Sequence, residues 1–237
     1  TLERALDELP DPTVQTLDLR GQGLRGCIPL GILRLKRLVA LNLNNNVLEG
    51  HIPRELGGLR SLQGISLASN RLTGAIPREV GDLALLKMFN VSSNKLEGVL
   101  PLGVLKLKVR GCADFSNNTS FTLPPNLGEL GADVVELDLS HCKIAGRIPP
   151  GVGRLVGLQK LLLYNNRLGG AIPREIGDLT NLRELDLGRN NLQGVVPPEI
   201  QKLVHLQELR LSRNQLRPSG EGYAHAMCVC EFSKLAR

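Results

Sequence analysis

Hydrophobic and polar residues alternate along short stretches of this chain, and the clearest stretch surrounds Leu161 and Leu163. One residue separates these two leucines, so an extended segment places both on the same face. The residues on the opposite, outward face are then Lys160, Leu162 and Tyr164. The alternation ends at Asn166, whose amide can bond to backbone groups in a turn. The pattern therefore predicts a short strand followed by a turn.

Gly170 and Pro173 follow this turn. Glycine adopts backbone conformations that other residues avoid, and the fixed φ of proline suits the first position of a helix. We therefore predict that the chain returns by a loose path containing a short helical or irregular segment.

The same pattern recurs every 24 residues without insertion or deletion. Counting from Asn166 in both directions gives one marker residue per repeat: Gln22, Asn46, Asn70, Asn94, Asn118, Cys142, Asn166, Asn190 and Asn214. We interpret the markers from Asn46 onward as a structural ladder, in which Cys142 is an inert, buried substitute. A fixed period of this length indicates a solenoid of stacked repeats.

Repeats two and seven match the pattern LxxLxxLxLxxNxLxGxIPxxLGxL almost letter for letter, and the chain thereby resembles the plant-type leucine-rich repeat family. The resemblance covers residues 14–217. It implies an α/β solenoid, a right-handed horseshoe of about nine repeats with a parallel sheet on its concave face. It also implies protein or peptide recognition, as in receptor-like kinases and receptor-like proteins.

Three regions are predicted along the chain. Residues 1–13 form an N-terminal cap, because Leu2, Ala5, Leu6 and Leu9 have helical spacing. Residues 14–217 form the solenoid, and residues 218–237 form a C-terminal tail or a truncated cap.

Repeat five, residues 108–130, is degenerate. Arg110 and Ser120 stand where the pattern has leucine, and Thr122 stands where it has glycine. A hinge or recognition island and a drifted repeat are both compatible with these residues. We favour drift, because such islands are insertions in this family and the 24-residue spacing is intact here.

Composition adds limits on function. The chain has no tryptophan, four phenylalanines and two tyrosines, so leucine must supply the core. Its net charge of +6 comes from residues spread through the repeats, which indicates a solvated surface and not a nucleic-acid partner. No apolar run is long enough to span a membrane, so membrane attachment would need segments beyond this chain.

Catalytic and metal-binding signatures are missing from the sequence. It contains no P-loop, nucleophile elbow, kinase loop set or HExxH helix. Neither Cys27 nor Cys112 has an evident mate, and Cys228 and Cys230 do not fit a zinc motif. We predict a non-enzymatic chain without cofactor or metal; catalysis would require a kinase or GTPase domain beyond Arg237. The alternatives are a receptor at the cell surface and a cytoplasmic scaffold.

Candidate partner-binding residues lie at outward strand positions, where repeats six to nine change from neutral to charged side chains. Tyr164 beside Leu162 is an aromatic and apolar pair with arginines nearby, a composition typical of binding hot spots. The full candidate set is Asp138, His141, Lys160, Leu162, Tyr164, Glu184, Asp186, Arg189, Arg210 and Arg213. A protein or peptide ligand is the expected partner.

Two asparagines are candidate glycosylation sites. Asn117 and Asn90 each begin an Asn-x-Ser/Thr sequon. Asn118 also begins one, but its ladder position predicts that it is inaccessible in the folded chain.

Overall fold

The computed structural model describes residues 1–7, 13–109 and 113–217. It divides into two compact units, Thr1–Phe121 and Thr122–Arg237, called here the N-unit and the C-unit. The division falls within repeat five. Among the residues discussed above, those outside the described part are Leu9, Arg110, Cys112 and the tail 218–237.

In the N-unit, each repeat contributes a first strand, a second strand and a helical return segment. The first strands are β1 (Thr16–Asp18), β3 (Ala40–Asn42), β5 (Gly64–Ser66), β7 (Met88–Asn90) and β9 (Ala113–Asp114). The second strands are β2 (Arg25–Gly26), β4 (Val47–Leu48), β6 (Thr73–Gly74) and β8 (Lys95–Val99). The 3-10 helices are η1 (Leu30–Arg34), η2 (Arg54–Gly58) and η3 (Arg78–Asp82).

The first strands of the N-unit pair in parallel, and their register follows the repeat. Leu17 pairs with Leu41, Leu41 with Ile65, and Ile65 with Phe89. These four side chains point inward and are at most 3% exposed. Burying each of these side chains contributes about 1.5–3 kcal/mol. The inward side chains of neighbouring repeats stack on one another and together form the core of the N-unit. The short helix α1 (Leu2–Asp7) adds buried Leu2 and Leu6.

The C-unit repeats the same plan. Its first strands are β11 (Glu136–Asp138), β13 (Lys160–Leu162), β15 (Glu184–Asp186) and β17 (Glu208–Arg210). Its second strands are β12 (Ala145–Gly146), β14 (Arg167–Gly170), β16 (Asn191–Val195) and β18 (Gln215–Arg217). Its 3-10 helices are η4 (Leu127–Leu130), η5 (Pro150–Arg154), η6 (Arg174–Asp178) and η7 (Pro198–Lys202). The strand β10 (Ser120–Thr122) belongs to repeat five.

The first strands of the C-unit confirm the predicted alternation. Leu161 pairs with Leu137 on one side and Leu185 on the other, and all three are at most 1% exposed. Their neighbours in sequence point outward. Each unit is therefore a solenoid of leucine-rich turns with a parallel sheet.

The return path is more regular than predicted. After the turn, β14 pairs in parallel with β12 and β16, so the second strands form a sheet of their own. Gly170 allows this course with φ of 73°, a conformation that costs glycine little. Pro173 is extended, with φ −68° and ψ 139°, and precedes η6. The prediction that Pro173 occupies the first helical position is therefore wrong by one residue.

Repeats four and five depart from the other repeats. The return segment of repeat four is the α-helix α2 (Leu102–Val109), where other repeats have a 3-10 helix. In repeat five, Phe115 and Phe121 are fully buried and meet edge to face, with ring centroids 5.8 Å apart. These large rings occupy core volume that smaller residues at the pattern's leucine positions leave open.

The marker asparagines bond to the backbone of adjacent repeats. Oδ1 of Asn46 accepts hydrogen bonds from the N–H groups of Gln22 and Leu24, at 3.1 and 3.0 Å. Its Nδ2 donates to the carbonyl oxygens of Leu19 and Leu43, at 2.9 and 3.0 Å. Except for the bond from the N–H at Gln22, the same bonds recur at Asn70, Asn94, Asn118, Asn166, Asn190 and Asn214. The markers thus satisfy turn groups that neighbouring strands leave unpaired.

Cys142 takes the marker position in repeat six. It is 2% exposed, and its Sγ donates to the Ser140 carbonyl oxygen at 3.2 Å. A thiol is a weaker donor and acceptor than an amide. A buried thiol in this setting packs as a small apolar side chain.

Candidate partner-binding face

The outward side chains of β11, β13, β15 and β17, together with the turn residues that follow, are called here the strand face of the C-unit. The strands bring them into register across repeats: Asp138 lies beside Leu162, and Leu162 beside Asp186. Leu162 is half-buried, between a carboxylate on each neighbouring strand. Because adjacent strands are about 4.8 Å apart, the face is a continuous array of side chains.

Tyr164 is the aromatic centre of the strand face. Its ring meets His141 edge to face at 5.3 Å between centroids, and the guanidinium carbon of Arg189 lies 5.9 Å from its centroid. A Cβ on Gly188 would lie 3.4 Å from the Tyr164 ring, so this glycine leaves room for the ring. Nδ2 of Asn165 lies 2.8 Å from Nδ1 of His141. Tyr164 is therefore held in place on both sides and half-buried.

A second group of predicted residues forms a charged network on the same face. Arg210 bonds to Glu184 at 2.7 Å and lies 3.6 Å from Asp186. It also bonds to Glu208, and Lys160 lies 3.8 Å from Glu184. The hydrogen bond that Arg210 donates to Glu184 raises the pKa of Arg210, which keeps its charge. Since three carboxylates already surround Arg210, its guanidinium has little capacity for a partner.

Asp186 is not an outward residue available to a partner. It is 8% exposed, and its Oδ1 accepts from the Gly188 N–H at 2.9 Å. Burial raises the pKa of Asp186, while that backbone bond and the charge of Arg210 oppose the rise. We therefore assign Asp186 a role inside the sheet and remove it from the candidate contacts.

Arg189 and Arg213 differ from Arg210 in their surroundings. Both are exposed turn residues with left-handed backbones, at φ 52° and 57°. Among the described residues, no carboxylate lies within 4 Å of either guanidinium. Asp138 is exposed as well, and its Oδ1 accepts from the Ser140 N–H at 2.9 Å. The structure thus divides the candidates into an internal network and an accessible set around Tyr164.

The left-handed turn residues were not recognised from the sequence. One occurs immediately before each marker in repeats two to nine: Asn45, Ser69, Ser93, Asn117, His141, Asn165, Arg189 and Arg213. Asparagine tolerates this conformation better than most residues, so its frequency there was a usable signal. The conformation aims these side chains away from the core at the end of each first strand.

The strand face of the N-unit is mostly uncharged between Asp18 on β1 and Asp114 on β9, and many of its polar side chains bond to one another. Oδ1 of Asn44 accepts from the Ser66 hydroxyl at 2.8 Å and from the Ala68 N–H at 2.7 Å. Oδ1 of Asn90 likewise accepts from the N–H and hydroxyl of Ser92, at 3.0 and 2.8 Å. These short polar side chains satisfy one another and offer few groups to a partner.

Glycosylation should distinguish two adjacent asparagines. Asn117 is exposed, whereas Asn118 is 1% exposed and donates to the carbonyl oxygens of Val91 and Phe115. A glycan on Asn118 would therefore be incompatible with the ladder. In a eukaryotic secretory host, peptide mapping should find sugar on Asn117, and Asn117→Gln should abolish it. Sugar on Asn118 alone would contradict this assignment; Asn90, half-buried on a strand, should be occupied less.

Among the described residues, no cluster of three or more His, Cys, Asp or Glu side chains could hold a metal ion. No helix in the described ranges has the length and apolarity needed to cross a membrane.

Family comparison identifies the repeats. The leucine-rich repeat profile matches residues 156–216, and a second profile of the same name matches residues 37–59 and 133–155. A comparison with curated proteins found no significant match.

Solved structures with this fold include plant receptor ectodomains. The chain is 32% identical to the ectodomain of the receptor kinase GASSHO1/SCHENGEN3 from Arabidopsis thaliana, solved with CASPARIAN STRIP INTEGRITY FACTOR 2, at a TM-score of 0.57. It is 28% identical to the Arabidopsis receptor kinase HAESA, solved with the peptide hormone IDA and a co-receptor, with a TM-score of 0.56. A leucine-rich repeat protein of Leptospira interrogans is also 28% identical to this chain, with a TM-score of 0.57.

This chain matches only part of the length of each of these solved proteins. The matches cover 81%, 90% and 91% of this chain, but 26%, 41% and 58% of the respective solved chains. The chain therefore spans less than two thirds of each. The chain carries leucine-rich repeats, each of its units folds as a leucine-rich repeat solenoid, and its repeats are similar to those of plant receptor kinase ectodomains.

Proposed function

We propose that the C-unit binds an extended peptide segment on its strand face, as the recognition part of a receptor-like protein. The observation that carries the proposal is the fixed Tyr164 ring with Arg189 beside it and Arg213 one repeat further. The GASSHO1/SCHENGEN3 and HAESA structures, which contain peptide ligands, support it. Leucine-rich repeats are non-catalytic by themselves, so binding is the activity of this module.

The geometry favours a ligand that carries a carboxylate and an apolar side chain close together. Tyr164 and half-buried Leu162 offer an apolar contact at the middle of the face. Arg189 and Arg213 can each hold a carboxylate by paired hydrogen bonds. Because Tyr164 is already held by His141 and Gly188, little side-chain entropy is lost when a ligand covers it.

Selection from a random linear peptide library should therefore enrich acidic peptides with an apolar residue. The variant Tyr164→Ala, Arg189→Asn, Arg213→Asn should bind the selected peptide at least about thirtyfold more weakly, because it lacks the aromatic anchor and both arginines that hold carboxylates. Asparagine suits the left-handed backbone of the two arginine positions. Kd is measured by calorimetry, and thermal unfolding checks that the variant is folded.

The control removes Arg54, Arg78 and Arg174, which lie on the return helices. Each is exposed and lies 3.4–3.6 Å from the glutamate that follows it in sequence. Substituting all three by alanine should change Kd less than about twofold. The proposed site would be contradicted if the control variant lost more affinity for the peptide than the strand-face variant. A selection that enriches no peptide would contradict it as well.

A further inference from the structure

The turns of the C-unit carry a one-sided charge. The turn edge is defined here as the four stretches from the end of each first strand through the second strand: 139–149, 163–173, 187–197 and 211–217. They contain no aspartate or glutamate. Their basic residues are Lys143, Arg147, Arg167, Arg189, Arg213 and Arg217. The overall charge is thus not evenly spread, contrary to the expectation from composition.

Among residues 122–217, all carboxylates of the C-unit lie elsewhere, on the first strands or the return segments and their helices. They are Glu129, Asp133, Glu136, Asp138, Glu175, Asp178, Glu184, Asp186, Glu199 and Glu208. The corresponding turns of the N-unit do not show this segregation, since Glu49 and Glu97 lie among their basic residues. The one-sided edge is therefore a property of the C-unit and not of the repeat pattern.

Lys143, Arg147 and Arg217 on the edge differ from the cations of the face in their pairing. Arg210 and Lys160 on the face contact carboxylates of neighbouring strands. Within the described residues, no carboxylate lies within 4 Å of Lys143, Arg147 or Arg217. Like charges gathered without counter-charges raise the local positive potential and attract anions. An anionic partner therefore meets cations without a carboxylate neighbour at Lys143, Arg147 and Arg217, whereas Arg210 and Lys160 on the face are already paired.

Side-chain placement supports a surface contact. Arg147 is exposed, and a Cβ on Gly170 would meet its side chain at 3.1 Å, so this glycine lets Arg147 lie across the next repeat. Successive turns are about 4.8 Å apart. The turn edge therefore carries basic residues on each of four successive repeats, which suits an elongated anion more than a single small one.

The choice between kinds of anion follows from the aromatic content. Single-stranded nucleic acids use aromatic stacking platforms beside a basic groove. Tyr164 is the sole Phe, Tyr or Trp among residues 122–217, and its ring already meets His141 and Arg189. Arginine, by contrast, matches carboxylates with paired hydrogen bonds. The edge therefore fits the side chains of an acidic polypeptide best.

We propose that the turn edge of the C-unit docks an acidic segment of a partner protein. The proposal does not depend on a peptide at Tyr164, because Lys143, Arg147 and Arg217 lie outside the candidate contacts of the strand face. Arg189 and Arg213 belong to both the edge and the strand face, so the edge is tested through Lys143, Arg147 and Arg217 alone.

The test measures binding of fluorescent poly-L-glutamate by anisotropy at about 150 mM salt, where surface charges are screened beyond roughly 8 Å. The variant Lys143→Gln, Arg147→Gln, Arg217→Gln should weaken binding at least about tenfold and flatten its salt dependence. The matched control Arg174→Gln, Arg183→Gln, Lys202→Gln removes the same charge from the return segments and strand starts. It should change Kd less than about threefold.

Three results would overturn the proposal. Equal weakening by both variants would mean that net charge alone attracts the probe, and absence of wild-type binding would remove the docking surface. Tighter, edge-dependent binding of a heparin oligosaccharide or single-stranded DNA would assign the edge to another class of partner. A peptide selected on the strand face should keep its affinity for the edge variant. This measurement separates failure of the edge proposal from failure of the proposed function.

Discussion

Replacing Asn166 by leucine is expected to lower the free energy of unfolding of the C-unit by about 2–4 kcal/mol. Oδ1 of Asn166 accepts from the Ile144 N–H at 2.8 Å. Its Nδ2 donates to the carbonyl oxygens of Leu139 and Leu163, at 2.8 and 3.0 Å. The side chain is only 9% exposed. Leucine would remove the bonds to Ile144 and Leu139, while the Leu163 carbonyl oxygen would keep its bond from Nδ2 of Asn190. Urea denaturation monitored by circular dichroism would measure the loss.

Two substitutions calibrate this effect. Thr180→Ala changes an exposed side chain in the same unit and should cost less than about 0.5 kcal/mol. Asn165→Ala should cost about 1 kcal/mol, because Asn165 has φ of 55° and bonds to His141. If Asn166→Leu and Thr180→Ala unfold at the same urea concentration, the ladder does not stabilise the solenoid.

Gly57→Ala is expected to destabilise the N-unit by about 2–3 kcal/mol. A Cβ at this position in η2 would lie 2.4 Å from the carbonyl oxygen of Glu79, in the next repeat. That contact is with backbone, so no side-chain rotation relieves it. The two 3-10 helices would have to move apart, which would disturb the stack of repeats. Thermal and urea unfolding of the purified variant would measure the change.

The next residue provides a matched control. Gly58 lies in the same helix, and a Cβ there would meet nothing within 4 Å. Gly58→Ala should therefore be neutral or stabilise by about 0.4–1 kcal/mol, through the lower entropy of the unfolded chain. Similar losses in both variants would show that helix stacking does not limit this position.

These two predictions differ in how far the sequence supported them. The regular recurrence of asparagine predicted a ladder, and the asparagine markers, unlike Cys142, donate to equivalent carbonyl oxygens of the neighbouring repeat. The role of Gly57 is less visible, since Gly58 follows it and the two look alike in sequence. Which glycine faces the next helix depends on the path of the 3-10 turn. The same close approach recurs at Gly153 and Gly177, whose Cβ atoms would lie 2.5 Å from carbonyl oxygens.

The sequence predicted which strand residues point outward, and their contact with a partner stays a prediction. Period-two alternation identified Lys160, Leu162 and Tyr164 as outward residues, and the structure places them so. The alternation could not show that Asp186 is buried, because side chains on adjacent strands can cover an outward position. Nor could it show that Arg210 is already paired with Glu184.

The sequence by itself determined the repeat, its parallel register and its leucine core, because a 24-residue period repeats the same local pattern in each turn. Only the tertiary structure decided the sheet of second strands, the left-handed turn residues and the division between paired and unpaired cations. Charges such as Arg210 and Glu184 are 26 residues apart in sequence but adjacent in space. Their pairing depends on side-chain reach across neighbouring repeats, which the order of residues along one repeat does not specify.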